Sequence, residues 1–151
     1  MTAERTRDWS ALALRAIVGY GFLVHGFAKL SRGPAAFADV LAALGVPAAP
    51  AMAWITIAVE IVGGFAVLLG AGVRLASIPM SIVLLVATLT VHLQYGFSSI
   101  KLVAVKNGVP MFGPPGYETA LLYLACLLAL VLDGPGALSV DAWIRRAGGV
   151  R

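Results

Sequence analysis

The chain has 151 residues, 60% hydrophobic and 12% charged, with a mean hydropathy of +0.94. An average soluble domain is about 25% charged, and a domain of this length cannot hide so much apolar surface, so the composition excludes a soluble fold and makes lipid the expected solvent. The net charge of +4 does not indicate nucleic acid, because the basic residues are scattered beside apolar runs, where they act as orientation signals, and no basic patch interleaved with aromatics occurs.

Spanning helices need ~20 mostly apolar residues, and four stretches qualify in chain order. Arg5 and Arg7 precede the first, at about residues 9–30. Ala36-Phe37-Ala38 resembles a signal-peptidase site, but Arg15, His25 and Lys29 interrupt the apolar run that a secretory leader requires, so the segment reads as a retained first helix. The linker of residues 31–50 places Phe37, Val40, Leu41 and Leu44 on one helical face, with Pro34 suited to a first turn and Gly45 and Pro47 to a stop. A short amphipathic helix at the membrane interface is expected there.

The second span is expected at about residues 51–73 and the third at 75–97, which has no formally charged residue. Residues 70–74 join them tightly. In the next loop, Asn107-Gly108 follows Lys101-Leu102-Val103-Ala104-Val105-Lys106 and predicts a small β-hairpin. Pro114-Pro115-Gly116 resets the chain for a fourth, shorter span at 117–132. Asp133-Gly134-Pro135-Gly136 is a turn, and the tail to residue 151 is short, amphipathic and basic. The one cysteine, Cys126, lies inside an apolar run, so no intrachain disulfide forms and a packing role is expected.

The expected architecture is therefore an all-α membrane protein, a bundle of four transmembrane helices with an interfacial helix between the first two and a hairpin between the last two. With four spans both termini share one side. Arg5, Arg7, Arg74, Arg145, Arg146 and Arg151 lie there, against Lys29, Arg32, Lys101 and Lys106 opposite. That bias predicts cytoplasmic termini.

Ionisable groups inside a membrane are costly unless paired or wet, and each is a functional candidate. Helix direction and the ~1.5 Å rise per residue place His25, Lys29, Glu60, His92 and Glu118 in one outer layer contributed by four helices. Glu60 is the deepest, ~13 Å below the outer start of its helix. Facing inward, these residues would form a polar pocket, with Glu60 and His25 as candidate proton-handling groups and Lys29, His92 and Glu118 as ligand-binding ones. The competing reading of Glu60 is a structural pair with Lys29 or an arginine. Arg15, Arg74 and Asp133 form a sparser inner layer, where interfacial ion pairs and snorkelling are expected; Arg15 also stands as a ligand-binding candidate. Gly19, Gly21, Gly26 and Gly63-Gly64 allow close helix packing. No P-loop, dinucleotide-binding, zincin or serine-hydrolase signature occurs, and no metal site is expected.

The ordered set Arg15, Gly19, Phe22, His25-Gly26-Phe27-Ala28-Lys29-Leu30, Phe37, Leu41, Gly45, Pro47, Glu60, Gly63-Gly64, Arg74, Thr90-Val91-His92 and Gly116-Tyr117-Glu118 resembles the DoxX-like family of small bacterial membrane proteins, over about residues 15–132. The resemblance implies one four-helix membrane domain over residues 1–151, with 133–151 as a cytoplasmic tail, in the bacterial inner membrane. It also implies a redox context, as a small subunit of quinone-linked or oxidative-stress complexes. With Cys126 alone, self-contained dithiol chemistry is not expected.

These readings lead to a redox subunit whose outer pocket binds a quinone headgroup, with electrons supplied by redox protein partners. The cofactor itself stays open, with quinone favoured. The alternatives are a non-catalytic scaffold for soluble redox enzymes, a proton-coupled transporter that would require a homo-oligomer, and a b-type cytochrome ligated by His25 and His92. Haem is disfavoured because Lys29 and Glu60 would crowd it.

Overall fold

The computed structural model describes residues 3–148, with side chains described from Asp8 onward. Arg5, Arg7 and Arg151, which entered the orientation argument, thus lie outside the described side chains. Six helices and one hairpin follow in the order α1 (Ala3–Arg32), α2 (Pro34–Ala43), α3 (Ala49–Leu69), α4 (Val73–Ala87), β1 (Leu102–Lys106), β2 (Val109–Phe112), α5 (Glu118–Asp133) and α6 (Val140–Ala147). Helix α4 continues as a π-helical turn over Thr88–His92 and a 3-10 turn over Leu93–Tyr95.

Among the described residues, three segments are long and apolar enough to cross a membrane: Asp8–Arg32, Ala49–Leu69 and Val73–Tyr95. The expected fourth, α5, has 16 residues and is about 24 Å long at 1.5 Å per residue, short of the ~30 Å hydrocarbon core. Its place in the bundle is nevertheless clear. Helix α1 packs on α3, α3 on α4, α4 on α5 and α5 on α1, a closed ring of four. Val18, Phe22, Val67, Val73, Met80, Leu127 and Leu130 fill its centre. Ile17, Tyr20, Phe27, Val62, Phe65, Leu75, Ile78, Leu89 and Leu128 face outward, and these apolar faces meet the lipid bilayer.

With no hydrophobic drive between helices in lipid, close approach rests on small residues. A Cβ on Gly19 would lie 2.8 Å from the Gly64 carbonyl oxygen, and one on Gly64 would lie 2.9 Å from Leu23 Cγ. The α1–α3 crossing is therefore backbone against backbone. Gly63 plays the same part between α3 and α4, where a Cβ would meet Met80 Sδ at 2.8 Å.

Helix α2 starts with Pro34 in its first turn and ends before Gly45, at φ 76°. It packs on α3 with Ala38 buried, Phe37 and Leu41 partly covered, and Val40 and Leu44 left exposed. Only half of the expected apolar stripe thus meets protein. The hairpin forms around Asn107 and Gly108, both at positive φ.

The ends of α1 and α5 meet at one end of the bundle, where Asp8 Oδ1 accepts the Ala137 N–H at 2.6 Å. Arg15 organises this end. It is 2% exposed, and its guanidinium donates to four carbonyls: Val67 at 3.1 Å, Leu68 at 2.9 Å, Pro135 at 2.9 Å and Leu138 at 2.8 Å. Arg74 likewise donates to the Val131 carbonyl. Ion pairs were expected in this layer, but among the described residues the ion pair formed is Lys29–Glu60, at the other end. The carbonyls freed at the end of α3 and in the turn after α5 need donors, and the five-donor fork of arginine supplies them. Gly70 closes α3 in the left-handed region, and a Cβ there would sit 2.8 Å from Arg15 Cζ.

Replacing Arg15 by alanine is expected to destabilise the bundle by about 3 kcal/mol or more, since hydrogen bonds to charged groups contribute about 1.5–3 kcal/mol each. Arg15→Lys should recover only part, because an ammonium lacks the planar fork. Thermal unfolding in mild detergent measures both.

Candidate functional site

Between α1, α3, α4 and α5, at the end opposite Arg15, lies a cavity of about 300 Å³. Helix α1 contributes Phe22, His25 and Lys29, which stand at 3- and 4-residue spacing and so share a face. Helix α3 contributes Glu60, α4 adds Val83, Leu84 and Ala87, the π turn adds His92, and Pro115, Thr119 and Tyr123 close the wall at the start of α5.

Glu60 is 5% exposed, and both its oxygens engage Lys29 Nζ, at 2.6 and 2.7 Å. Gly26 makes this possible. A Cβ there would lie 3.1 Å from Glu60 Cβ and 2.7 Å from Ile61 Cγ1, so only glycine lets α1 come close enough for Lys29, one turn further on, to reach across. Helix α2 backs the pair, with the Phe37 ring centroid 5.2 Å from Lys29 Nζ, a cation–π contact.

On the facing wall the Phe22 and Tyr123 rings stack at 5.9 Å between centroids. The Tyr123 ring and hydroxyl occupy the space where Gly21 lacks a side chain. His92 Nδ1 lies 3.0 Å from the Pro115 carbonyl oxygen. A carbonyl only accepts, so Nδ1 carries the proton, and in the neutral ring Nε2 keeps its lone pair. Next to Ala87, the buried Thr88 hydroxyl opens the π turn without a hydrogen-bond partner; π turns recur at functional sites.

The roof over His92 is a backbone latch. The N–H groups of Gly116, Tyr117 and Glu118 donate to the carbonyls of Ser98, Gly96 and Phe97 at 3.0–3.1 Å, which satisfies the orphan donors at the start of α5. Any side chain on Gly116 would collide with those same carbonyls.

Four of the six candidate residues, His25, Lys29, Glu60 and His92, therefore line one cavity. The other two do not. Glu118 holds the roof, its Oε2 accepting the Ser99 N–H at 3.0 Å, and Arg15 is committed to carbonyls at the far end. Sequence reasoning missed Tyr123, Thr119 and Pro115 as cavity walls. The available signal for Tyr123 was a phenol within an otherwise aliphatic helix. Among the described residues no three His, Cys, Asp or Glu side chains are grouped to hold a metal ion. Chemically, the cavity offers a cation, a carboxylate, two imidazoles and an aromatic wall in an otherwise apolar enclosure. Its volume is at the lower end of the ~300–1,000 Å³ range of small-molecule sites.

Fold and cavity together define a small multi-pass membrane protein with a polar cavity between its helices. A family model for DoxX matches residues 10–93, and the chain belongs to the DoxX family. It is 30% identical over 138 residues, 91% of this chain and 92% of the relative, to an "Uncharacterized protein" of Haemophilus influenzae. It is 28% identical over 141 residues, 93% and 91% of the two chains, to a Bacillus subtilis protein described as "Putative oxidoreductase CatD". No solved structure gives a significant match. The family match ends one residue past His92, so it includes all four candidate cavity residues but not α5.

Removing one member of a buried ion pair strands the other charge, at a cost of about 3–5 kcal/mol. Lys29→Met is accordingly expected to destabilise strongly, and Lys29→Met with Glu60→Met to recover most of the loss. Unfolding midpoints of the two single variants and the double variant test the coupling.

Proposed function

We propose that this protein is an integral membrane subunit of a quinone-linked redox complex and that the cavity binds a quinone headgroup. The observation that carries the reading is the convergence of Lys29, Glu60, His25 and His92 on one small, aromatic-walled enclosure. A headgroup is a flat ring with a polar oxygen at each end. Phe22 and Tyr123 offer a surface for the ring, and the Lys29 ammonium offers a donor for a carbonyl oxygen. Reduction to the quinol takes up two electrons and two protons. In this reading the electrons come from a redox protein partner or a bound cofactor. Protons reach or leave the oxygens through His92 Nε2, His25 and the Glu60 carboxylate, groups suited to proton transfer. The description of the Bacillus relative as an oxidoreductase agrees with this chemistry.

In the same reading α5 makes a fourth, locally thinned crossing, and both termini face the cytoplasm of a bacterial inner membrane. Two facts support this placement: the Asp8–Ala137 hydrogen bond that brings the start of α1 beside the turn after α5, and Arg74, Arg145 and Arg146, which lie on that side.

One observation favours a scaffold instead. Lys29 and Glu60 already satisfy each other, and such a pair serves to fix helix pairing whether or not a ligand binds.

The two readings separate on purification in mild detergent, with an optical spectrum and mass spectrometry of extracted small molecules, for wild type, Glu60→Gln and His92→Ala. A redox subunit carries a co-purifying quinone, and its amount falls roughly fivefold or more in the variants, the equivalent of about 1 kcal/mol for one lost hydrogen bond. A wild type with no bound quinone, together with variants that fold and assemble normally, argues against the proposal. Loss of assembly in Glu60→Gln, with no quinone in any sample, establishes the scaffold. A haem spectrum would select the bis-histidine alternative.

A further inference from the structure

The seam between α1 and α5 is sealed at one level and open at the next. The two helices run antiparallel, since Asp8 near the start of α1 meets Ala137 after α5. At Gly21 they touch, and the Tyr123 ring and hydroxyl fill the space that glycine leaves. One turn closer to the roof, His25 on α1 and Thr119 on α5 take the places of Gly21 and Tyr123 along the seam. Both line the cavity, and both are exposed. Facing the cavity does not by itself expose a side chain: Phe22 and Glu60 also line it and are 3% and 5% exposed. His25 and Thr119 therefore stand at an opening, one on each side.

The depth of this opening decides what it faces. His25 lies seven residues before Arg32, where the first span ends, about 10 Å along the helix, at the level of acyl chains rather than bulk water. Val24 and Leu122, its neighbours on the two helices, are exposed apolar surface. The end of the cavity nearest water is covered by the roof, into which the Thr119 N–H is tied by donating to the Ser99 hydroxyl. Among the described residues no hydrogen bond reaches the His25 ring, and a polar group left unpaired at membrane depth is a mark of a ligand path.

We infer that the cavity opens sideways into the bilayer between α1 and α5. Its ligand is then a lipid-soluble molecule whose polar head enters past His25 and Thr119, while an apolar tail stays among the acyl chains beside Val24 and Leu122. The inference rests on the proposed use of the cavity as a ligand site, but the opening does not depend on the ligand being a quinone.

Two measurements test it. Nitroxide labels at His25→Cys and at Thr119→Cys, each in a Cys126→Ala background, are placed in phosphatidylethanolamine–phosphatidylglycerol vesicles. Each label should collide with oxygen, which concentrates in lipid, more than with a water-soluble nickel chelate, as a label at the lipid-facing Leu128 does. Greater access to the chelate means an opening to water, and shielding from both means a sealed seam; either result overturns the inference. The ligand is probed with 2-heptyl-4-hydroxyquinoline N-oxide, a tailed mimic of a quinone headgroup whose fluorescence falls on binding. Thr119→Phe fills the seam and leaves Lys29, Glu60, His25 and His92 in place. It should weaken binding roughly fivefold or more, the lower end of the cost of forcing a larger side chain into a packed site. Thr119→Leu gives the same test with less added bulk if phenylalanine unfolds the protein. Unchanged binding in a variant with the wild-type unfolding midpoint overturns the inference. A wild type that binds no probe while both labels face lipid counts against the quinone reading alone, because the labels establish the opening.

Discussion

A charge held at membrane depth must find its partners within the protein, and much of this structure follows from α1 carrying two such charges. Arg15 and Lys29 are 14 residues apart, about 21 Å along the helix, one toward each end of the bundle. Arg15 gathers the end of α3 and the turn after α5 by donating to four carbonyls. Lys29 engages Glu60 with both carboxylate oxygens. Between them, Gly19 and Gly26 on α1 and Gly64 on α3 remove the side chains that would keep the two helices apart. The small residues and the charges are thus one device, since the short Lys29–Glu60 distances require the close crossing that glycine allows.

The cavity follows from that arrangement. Where α1 and α3 are clamped, α4 and α5 complete a ring whose polar lining is concentrated at one end. The π turn and the Pro115–Gly116 roof belong together: the first places His92, and the second fixes its protonated nitrogen through one carbonyl. Glu118 and Ser99 tie the roof to the loop after α4. The residues around the cavity therefore divide into those that present chemistry to its interior and those that hold its walls. Glu118, which its position on the helix alone could not assign, belongs to the second group.

Membership of the DoxX family agrees with the resemblance drawn from the ordered residues between Arg15 and Glu118. Elements with strong local determinants were legible in the sequence: the three long apolar spans, the short helix bounded by Pro34 and Gly45, and the hairpin at Asn107-Gly108. Element ends were less so. Helix α3 stops at Leu69 rather than near residue 73 because Gly70 turns left-handed beneath the Arg15 guanidinium, a contact between residues 55 positions apart. The third span changes to π and 3-10 geometry after Ala87, which apolar periodicity does not reveal.

Local quantities, hydropathy and the rise per residue, made it legible that this is a membrane protein, roughly where its three long apolar spans fall, and that His25, Lys29, Glu60 and His92 belong toward one end of the bundle. Which of those groups meet depends on how the helices pack. Whether Glu60 pairs with Lys29 or an arginine, whether Arg15 answers a carboxylate or carbonyls, and whether Glu118 faces the cavity or its roof all depend on helix rotation and interaxial distance. Those are set by glycines and aromatics on neighbouring helices, and no single segment encodes them.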